Sequence, residues 1–314
     1  MKTTVIYLGY AIYNKIAKKI HLFEKQTGKF KTYGGKKFVD SQSGNDRIRE
    51  LIETGKPFMV ARYGANELAI MRQIEEKKIK IRKSVSPNMI DQFCNCAGFF
   101  PKNEEKIAAF AYEMKENTEI VDLMGVWFNP MEDYFIKRYN RIMKTTPLTA
   151  LEPWYHNNPW SKSLEGKKVL VIHPFAETIA QQYKRRAEIW PNDILPDMRL
   201  YTLKAVQTIA GSTDNRFKTW FDALEYMFQE AIKIDFDIAI IGCGAYGFPL
   251  AARLKMEGKQ TIHLGGATQI LFGIKGKRWD EMPQISRFYN DAWVRPNGNE
   301  IVTKGISVEG GCYW

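Results

Sequence analysis

Cysteine and histidine are scarce in this chain, four of each in 314 residues. Cys94, Cys96, Cys243 and Cys312 form no C-x-x-C pair; Cys94-Asn-Cys96 is C-x-C, which excludes the usual zinc and dithiol redox spacings. Reduced thiols in a cytoplasmic protein are the expected state. Long apolar runs are also missing. Thr3 to Phe23 is too short and too charged to span a bilayer, and it lacks the apolar core and cleavage site of a secretory signal. No Lys/Arg block and no RNP-type aromatic motif is present, so nucleic acid is not an expected partner. There is no internal repeat and no low-complexity segment. Acidic residues are in deficit, 35 against 46 Lys and Arg, for a formal charge of +11. That excess suits anionic partners such as nucleotides, phosphosugars or acidic lipid surfaces.

What is present is ample apolar material, 45% hydrophobic and 13% aromatic residues, and a clear βαβ unit. Phe236-Asp-Ile-Ala-Ile-Ile reads as a buried strand. Gly242-Cys-Gly-Ala-Tyr-Gly247 follows at once, then helical spacing from Phe248 to Gly258, then a second strand, Gln260-Thr-Ile-His-Leu, ending in Gly265-Gly266. Gly242, Gly244 and Gly247 fit G-x-G-x-x-G between strand and helix, the arrangement that brings backbone amides to a phosphate. Tyr246 lies inside that turn. No acid follows the second strand, and Pro249 stands in the first turn of the helix, so a nicotinamide dehydrogenase is not the reading.

Other strand ends carry chemistry. Phe58-Met-Val-Ala-Arg62 is a strand that stops at Tyr63-Gly-Ala-Asn-Glu67 before a helix from Leu68. Arg62 is a candidate for phosphate binding or for an ion pair; Glu67 is a candidate metal ligand or base, or a helix cap. Val169 to Ile172 is a strand ending in His173, a second base candidate, and a helix is expected from Thr178 to Ile189. Glu152 to Trp160 holds several aromatic rings among polar groups, and Trp154, Tyr155 and His156 are candidate sugar or acceptor contacts or, equally, loop anchors. Lys275, Lys277 and Arg278 could neutralise a diphosphate. Further strands are expected at 119–127, 148–151 and 199–205, and a loop over the site at 79–101. Asp91 is the acid to watch in that loop.

Ile12, Ile16, Ile20 and Phe23 share a helical face with Lys15, Lys18 and Lys19 elsewhere: an amphipathic basic helix, either an interfacial anchor or a helix packed on the body or used for self-association. Gly28 to Gly44 reads as a linker. The C-terminal Trp314 is expected to tuck against the body.

Arg62-Tyr-Gly-Ala-Asn-Glu67 resembles the Arg-Phe-Gly-Asp-Gly-Glu signature of the GT-D fold glycosyltransferases, bacterial enzymes of surface glycan and glycoprotein assembly. The stretches Ile241 to Ala251, His263 to Gln269 and Gly273 to Trp279 look like the same group, closest to members found with capsule and polysaccharide biosynthesis. The resemblance spans about residues 45–314. It implies a Rossmann-like, doubly wound, mostly parallel α/β sheet over 46–314, preceded by an arm and linker over 1–45. It also implies transfer from a nucleotide-sugar donor to a glycan or lipid-linked acceptor, in the cytoplasm or at the inner membrane face. An Asp-x-Glu pair with Mn²⁺ or Mg²⁺ is part of the pattern; here Ala65 replaces the first acid and only Glu67 matches. A non-catalytic nucleotide or phosphosugar binder, or an enzyme of another phosphorylated metabolite, stays open beside this reading.

Overall fold

The computed structural model describes residues 2–19, 31–212 and 214–302. Expectations for Ile20, Phe23, Cys312 and Trp314 lie outside the described residues.

The first helix, Lys2–Lys19, precedes a hairpin of β1 (Thr32–Tyr33) and β2 (Lys36–Lys37), then the helix Ser41–Glu53. Seven further strands follow: β3 (Phe58–Ala61), β4 (Leu123–Val126), β5 (Lys144–Pro147), β6 (Lys168–His173), β7 (Arg199–Lys204), β8 (Ile238–Ile241) and β9 (Gln260–His263). They form one sheet in the order β5-β4-β3-β9-β8-β6-β7, every pairing parallel. Parallel strands need covered faces, and the sequence supplies residues for both. Along each strand side chains alternate between faces. Met59, Ala61, Met124, Leu170, Ile172, Ala239 and Ile241 enter one core with the helices Ala65–Lys78, Glu104–Thr118, Trp220–Ile232 and Gly247–Met256. Phe58, Val60, Leu123, Val169, Val171, Ile238, Ile240 and Ile262 enter the other, with the helices Ser41–Glu53, Ala176–Tyr183 and Ala267–Leu271.

The two crossovers that leave the middle of the sheet diverge. From β6 the chain passes through Ala176–Tyr183 on one face to β7; from β8 it passes through Gly247–Met256 on the other face to β9. Neighbours β6 and β8 therefore form a switch point, where the loops at their carboxyl ends part and leave a crevice.

Local expectations are revised in four places. Leu148–Leu151 is a 3₁₀ turn and the strand is the preceding β5, which carries the β-branched Thr145 and Thr146. The loop at 79–101 contains a helix, Pro87–Ala97, capped by the Ser86 hydroxyl with Pro87 at its first position and Gly98 left-handed at its end. The helix expected over 178–189 is split into Ala176–Tyr183 and Arg186–Ile189. The described end of the linker is structured: Phe38 bridges Thr145, and Asp40 caps the Ser41–Glu53 helix. The first helix packs on the body, Tyr7 Oη donating to Glu76 at 2.8 Å and Asn14 Nδ2 to Asp133 at 3.0 Å.

Candidate active site

The carboxyl ends of β3, β4, β6, β8 and β9 open into one cleft of about 560 Å³. Each strand ends in a residue of that cleft: Arg62 after β3, Trp127 after β4, His173 in β6, Gly242 after β8, and Leu264 with Gly265 after β9.

Arg62 is the cation at its centre. The guanidinium lies 4.5 Å from the Trp127 ring centroid, and its Nε and Nη2 donate to the Tyr63 carbonyl at 3.2 and 3.1 Å. Trp127 Nε1 donates to the same carbonyl at 3.0 Å, so ring and guanidinium are held as a stacked pair. A Cβ on Gly265 would lie 3.0 Å from Arg62 Nη1, so the glycine turn after β9 runs directly against the charge. Gly265 has φ +66° and Gly244 has φ +59°, left-handed values that favour glycine. Gly242 has no room for a side chain: a Cβ would meet the Gly265 carbonyl and Thr268 Oγ1 at 2.6 Å and the His173 ring at 2.8 Å. The turns after β8 and β9 are thus packed on one another at the floor of the cleft.

Two acids face this centre. Glu67 is in the first turn of the Ala65–Lys78 helix, its carboxylate folded back over Gly64 where a Cβ would overlap it. Glu152 comes from the loop after β5, and burial raises its pKa to about 7 although Arg62 pulls the other way. Two histidines are buried and neutral. His173 has its pKa lowered to about 3 by desolvation, and its Nδ1 accepts from the Phe175 amide at 3.0 Å, so the neutral ring keeps its proton on Nε2. That tautomer offers a hydrogen-bond donor at Nε2. His263 is lowered to about 3 by burial and then by Arg62, and its Nδ1 is buried without a partner.

The cleft brings together Arg62, Glu67, His173, Gly242, Gly244, Tyr246, Gly265, Gly266 and Arg278. Tyr246 is held in place, its ring stacked on Trp220 at 4.7 Å and its hydroxyl 2.9 Å from Thr208 Oγ1. Gly247, Lys275, Lys277, Trp154, Tyr155 and His156 do not line the cleft. Gly247 serves packing: a Cβ there would meet the His263 ring at 2.5 Å. Lys275 places its ammonium 5.3 Å from the Tyr289 ring, and Lys277 is exposed at the start of the helix Lys277–Asp280. Trp154 is core, parallel to Trp190 at 6.1 Å. Tyr155 Oη donates to the Gln284 carbonyl at 3.4 Å. His156 has both ring nitrogens engaged, by Gln42 at 3.2 Å and the Thr149 carbonyl at 3.0 Å. Asp91 pairs with Lys102 at 2.7 Å on the surface.

Trp127, Glu152, Thr208, His263 and Trp279 are cleft residues that the sequence reading did not assign to the site. Trp127 was within reach, because it ends a strand as Arg62 does. Glu152 stands in the loop chosen for its rings, yet it is the acid and not the rings that reaches the cleft.

Among the described residues no three His, Cys, Asp or Glu side chains gather to hold a metal. Ala65 is exposed at the lip, and Glu67 alone does not make a protein-built divalent site.

A wholly parallel α/β sheet with a cationic, glycine-floored cleft at its switch point defines an open-sheet protein of the kind that binds ligands at that edge. Residues 39–271 match the model of the GT-D fold-like domain, and the chain belongs to the GT-D-like family. Two solved structures are similar. One is a selenomethionine-substituted structure of domain of unknown function 1792, 12% identical over 74% of this chain and 79% of that one, TM-score 0.44. The other is described as showing that this highly conserved domain has a distinct glycosyltransferase fold, 13% identical over 85% of this chain and 93% of that one, TM-score 0.45. No curated protein matches.

Proposed function

We propose that the chain is a glycosyltransferase that takes a sugar from a nucleoside diphosphate donor bound in this cleft and passes it to a surface-glycan or lipid-linked acceptor, as in capsule assembly. The observation that carries the reading is the meeting of Arg62 and Arg278 with the Gly242–Gly244 and Gly265–Gly266 turns in one cleft, within a region that belongs to the GT-D-like family.

The roles follow from charge and position. Backbone amides of the two turns and the guanidiniums of Arg62 and Arg278 offset the charge that grows on the leaving diphosphate. His173 donates from Nε2 to a donor oxygen. Glu152, with a pKa of about 7, changes charge near neutrality and is matched to accept the acceptor hydroxyl's proton. Glu67 is the second carboxylate. A divalent cation would need the diphosphate's own oxygens beside Glu67.

Ala65 in place of the expected acid favours a second reading, a nucleotide-sugar binder without turnover. One experiment separates them. The purified chain is incubated with a panel of nucleotide sugars, with and without Mn²⁺, and released nucleoside diphosphate is measured. Release that falls in Glu152→Gln and Arg62→Met supports transfer. Tight binding without release supports the binder, and turnover of non-sugar phosphates alone overturns both.

A further inference from the structure

The helix Lys2–Lys19 uses one face for the body and leaves the other to solvent. Tyr7, Asn14 and Ala17 are buried, with Tyr7 set edge-on against Tyr134 at 5.1 Å. On the opposite side Val5, Leu8, Ile12 and Ile16 are 68%, 43%, 60% and 54% exposed. Their spacing of three, four and four residues makes a single stripe. Ile6 and Tyr13 are exposed beside it, so six of the thirteen exposed large apolar side chains among the described residues lie on this one helix. Single exposed apolar residues are ordinary; a contiguous stripe marks a contact surface.

The charges choose the contact. The helix has no Asp or Glu, and Lys15, Lys18 and Lys19 lie at or beside the stripe's C-terminal end. The helix Glu132–Tyr139 packed beside it holds Lys137 close enough to Lys36 of the hairpin for the like charge to lower the Lys36 pKa further, after burial. A second copy packed parallel on this face would set lysine against lysine. A surface that is apolar in depth and negative at its boundary meets both features, and that is the description of an anionic bilayer. No helix among the described residues is long and apolar enough to cross a membrane, so the contact is along the surface. We propose that the Lys2–Lys19 helix docks the protein on an anionic lipid membrane, with Val5, Leu8, Ile12 and Ile16 among the acyl chains and the lysines at the phosphates. The docked face stays on the body through Glu76 and Asp133. The body is therefore held at the membrane, where a lipid-linked acceptor would be, although the docking itself does not depend on the sugar-transfer reading.

The test uses the full chain, because removing the helix would also strip Glu76 and Asp133 of their partners. Co-sedimentation is measured with vesicles of phosphatidylglycerol and phosphatidylcholine, and with phosphatidylcholine alone. The expected result is binding that requires the anionic lipid, weakens with salt, and drops at least about tenfold in Ile12→Gln/Ile16→Gln. Lys15→Gln/Lys18→Gln/Lys19→Gln should also weaken it. Ile142→Gln, at an 81% exposed site in the bend before β5, should not. Binding that ignores lipid charge, or that survives the Ile12/Ile16 variant, overturns the proposal. So does a dimer in lipid-free sedimentation velocity that the same variant disperses, which would assign the face to a second copy. Nucleoside diphosphate release in solution should be unchanged in the Ile12/Ile16 variant, so a failure here is separable from a failure of the transferase reading.

Discussion

A guanidinium stacked on Trp127 at the end of β3 lowers the pKa of both Glu152 and His263, because one positive charge favours a carboxylate and disfavours an imidazolium. Arg62→Met removes that charge while keeping an apolar chain on the tryptophan. Turnover of the donor should fall by about a hundredfold, the scale of losing one charge-stabilising group. The Glu152 pKa should also rise above its present value of about 7, moving the acidic limb of the kcat/KM profile to higher pH. A limb that stays in place would show that Glu152 is not the titrating group. His173 gives a second residue-scale contrast. Its Nδ1 already accepts from the Phe175 amide, which leaves Nε2 for the donor role proposed for the ring. His173→Gln, which retains an N–H donor, should keep turnover within about tenfold, whereas loss of a true general base costs about 10²–10⁴-fold.

At the scale of elements, strands and glycine turns were legible because their signals are local. Apolar tetrads such as Ile238–Ile241, followed at once by glycines, leave few alternatives. What was not legible depends on which elements meet. Nothing near Trp154 in sequence says that Trp190 will stack on it, and nothing near Glu152 says that Arg62 will face it. The amphipathic stripe of the first helix was visible, but not which of its faces the body takes. The docked side is the one with Tyr7 and Asn14, which find hydrogen-bond partners, and the isoleucines point outward. The aromatic loop shows the difference as a measurement. Trp154→Ala should destabilise the protein by about 3–5 kcal/mol, as for other buried aromatics, and lower the thermal midpoint. Trp127→Ala removes a ring that is 39% exposed in the cleft and should leave the midpoint nearly unchanged while raising KM. If the two effects were exchanged, the assignment of core and site would be reversed.

Buried ionisable groups set how the whole molecule responds to pH. Desolvation raises Glu132 to about 8, Glu152 to about 7 and Asp133 to about 6, from ordinary values of 4.5, 4.5 and 3.8. It lowers His173 and His263 to about 3 from 6.5. Between pH 3 and 6.5 the unfolded histidines hold more protons than the folded ones, so stability rises with pH on their account. The acids act the other way: above their unfolded values the native state holds protons that the unfolded chain has released, so stability falls as pH rises to each folded value. Glu75 is an exception among the buried acids: burial raises it, but Lys115 at 2.6 Å, together with the Tyr134 hydroxyl and Lys78, leaves its pKa lowered. Above pH 6.5 the histidines no longer compensate, and between 7 and 8 Glu132 is the main group of these five still ionising, while Glu152 completes its own titration. Its side chain accepts from Tyr33 Oη and from the Asn129 amide, both at 3.3 Å, in the turn that follows Trp127. Glu132→Gln keeps an acceptor for those donors and cannot ionise. The Glu132 share of the wild-type fall in stability from pH 7 to pH 8 should therefore be about 1 kcal/mol, most of one proton's worth near its pKa, while the variant keeps only the smaller fall of about 0.3 kcal/mol that Glu152 contributes. Urea unfolding at the two pH values measures it, and a fall of equal size in Glu132→Gln would place the responsible proton elsewhere.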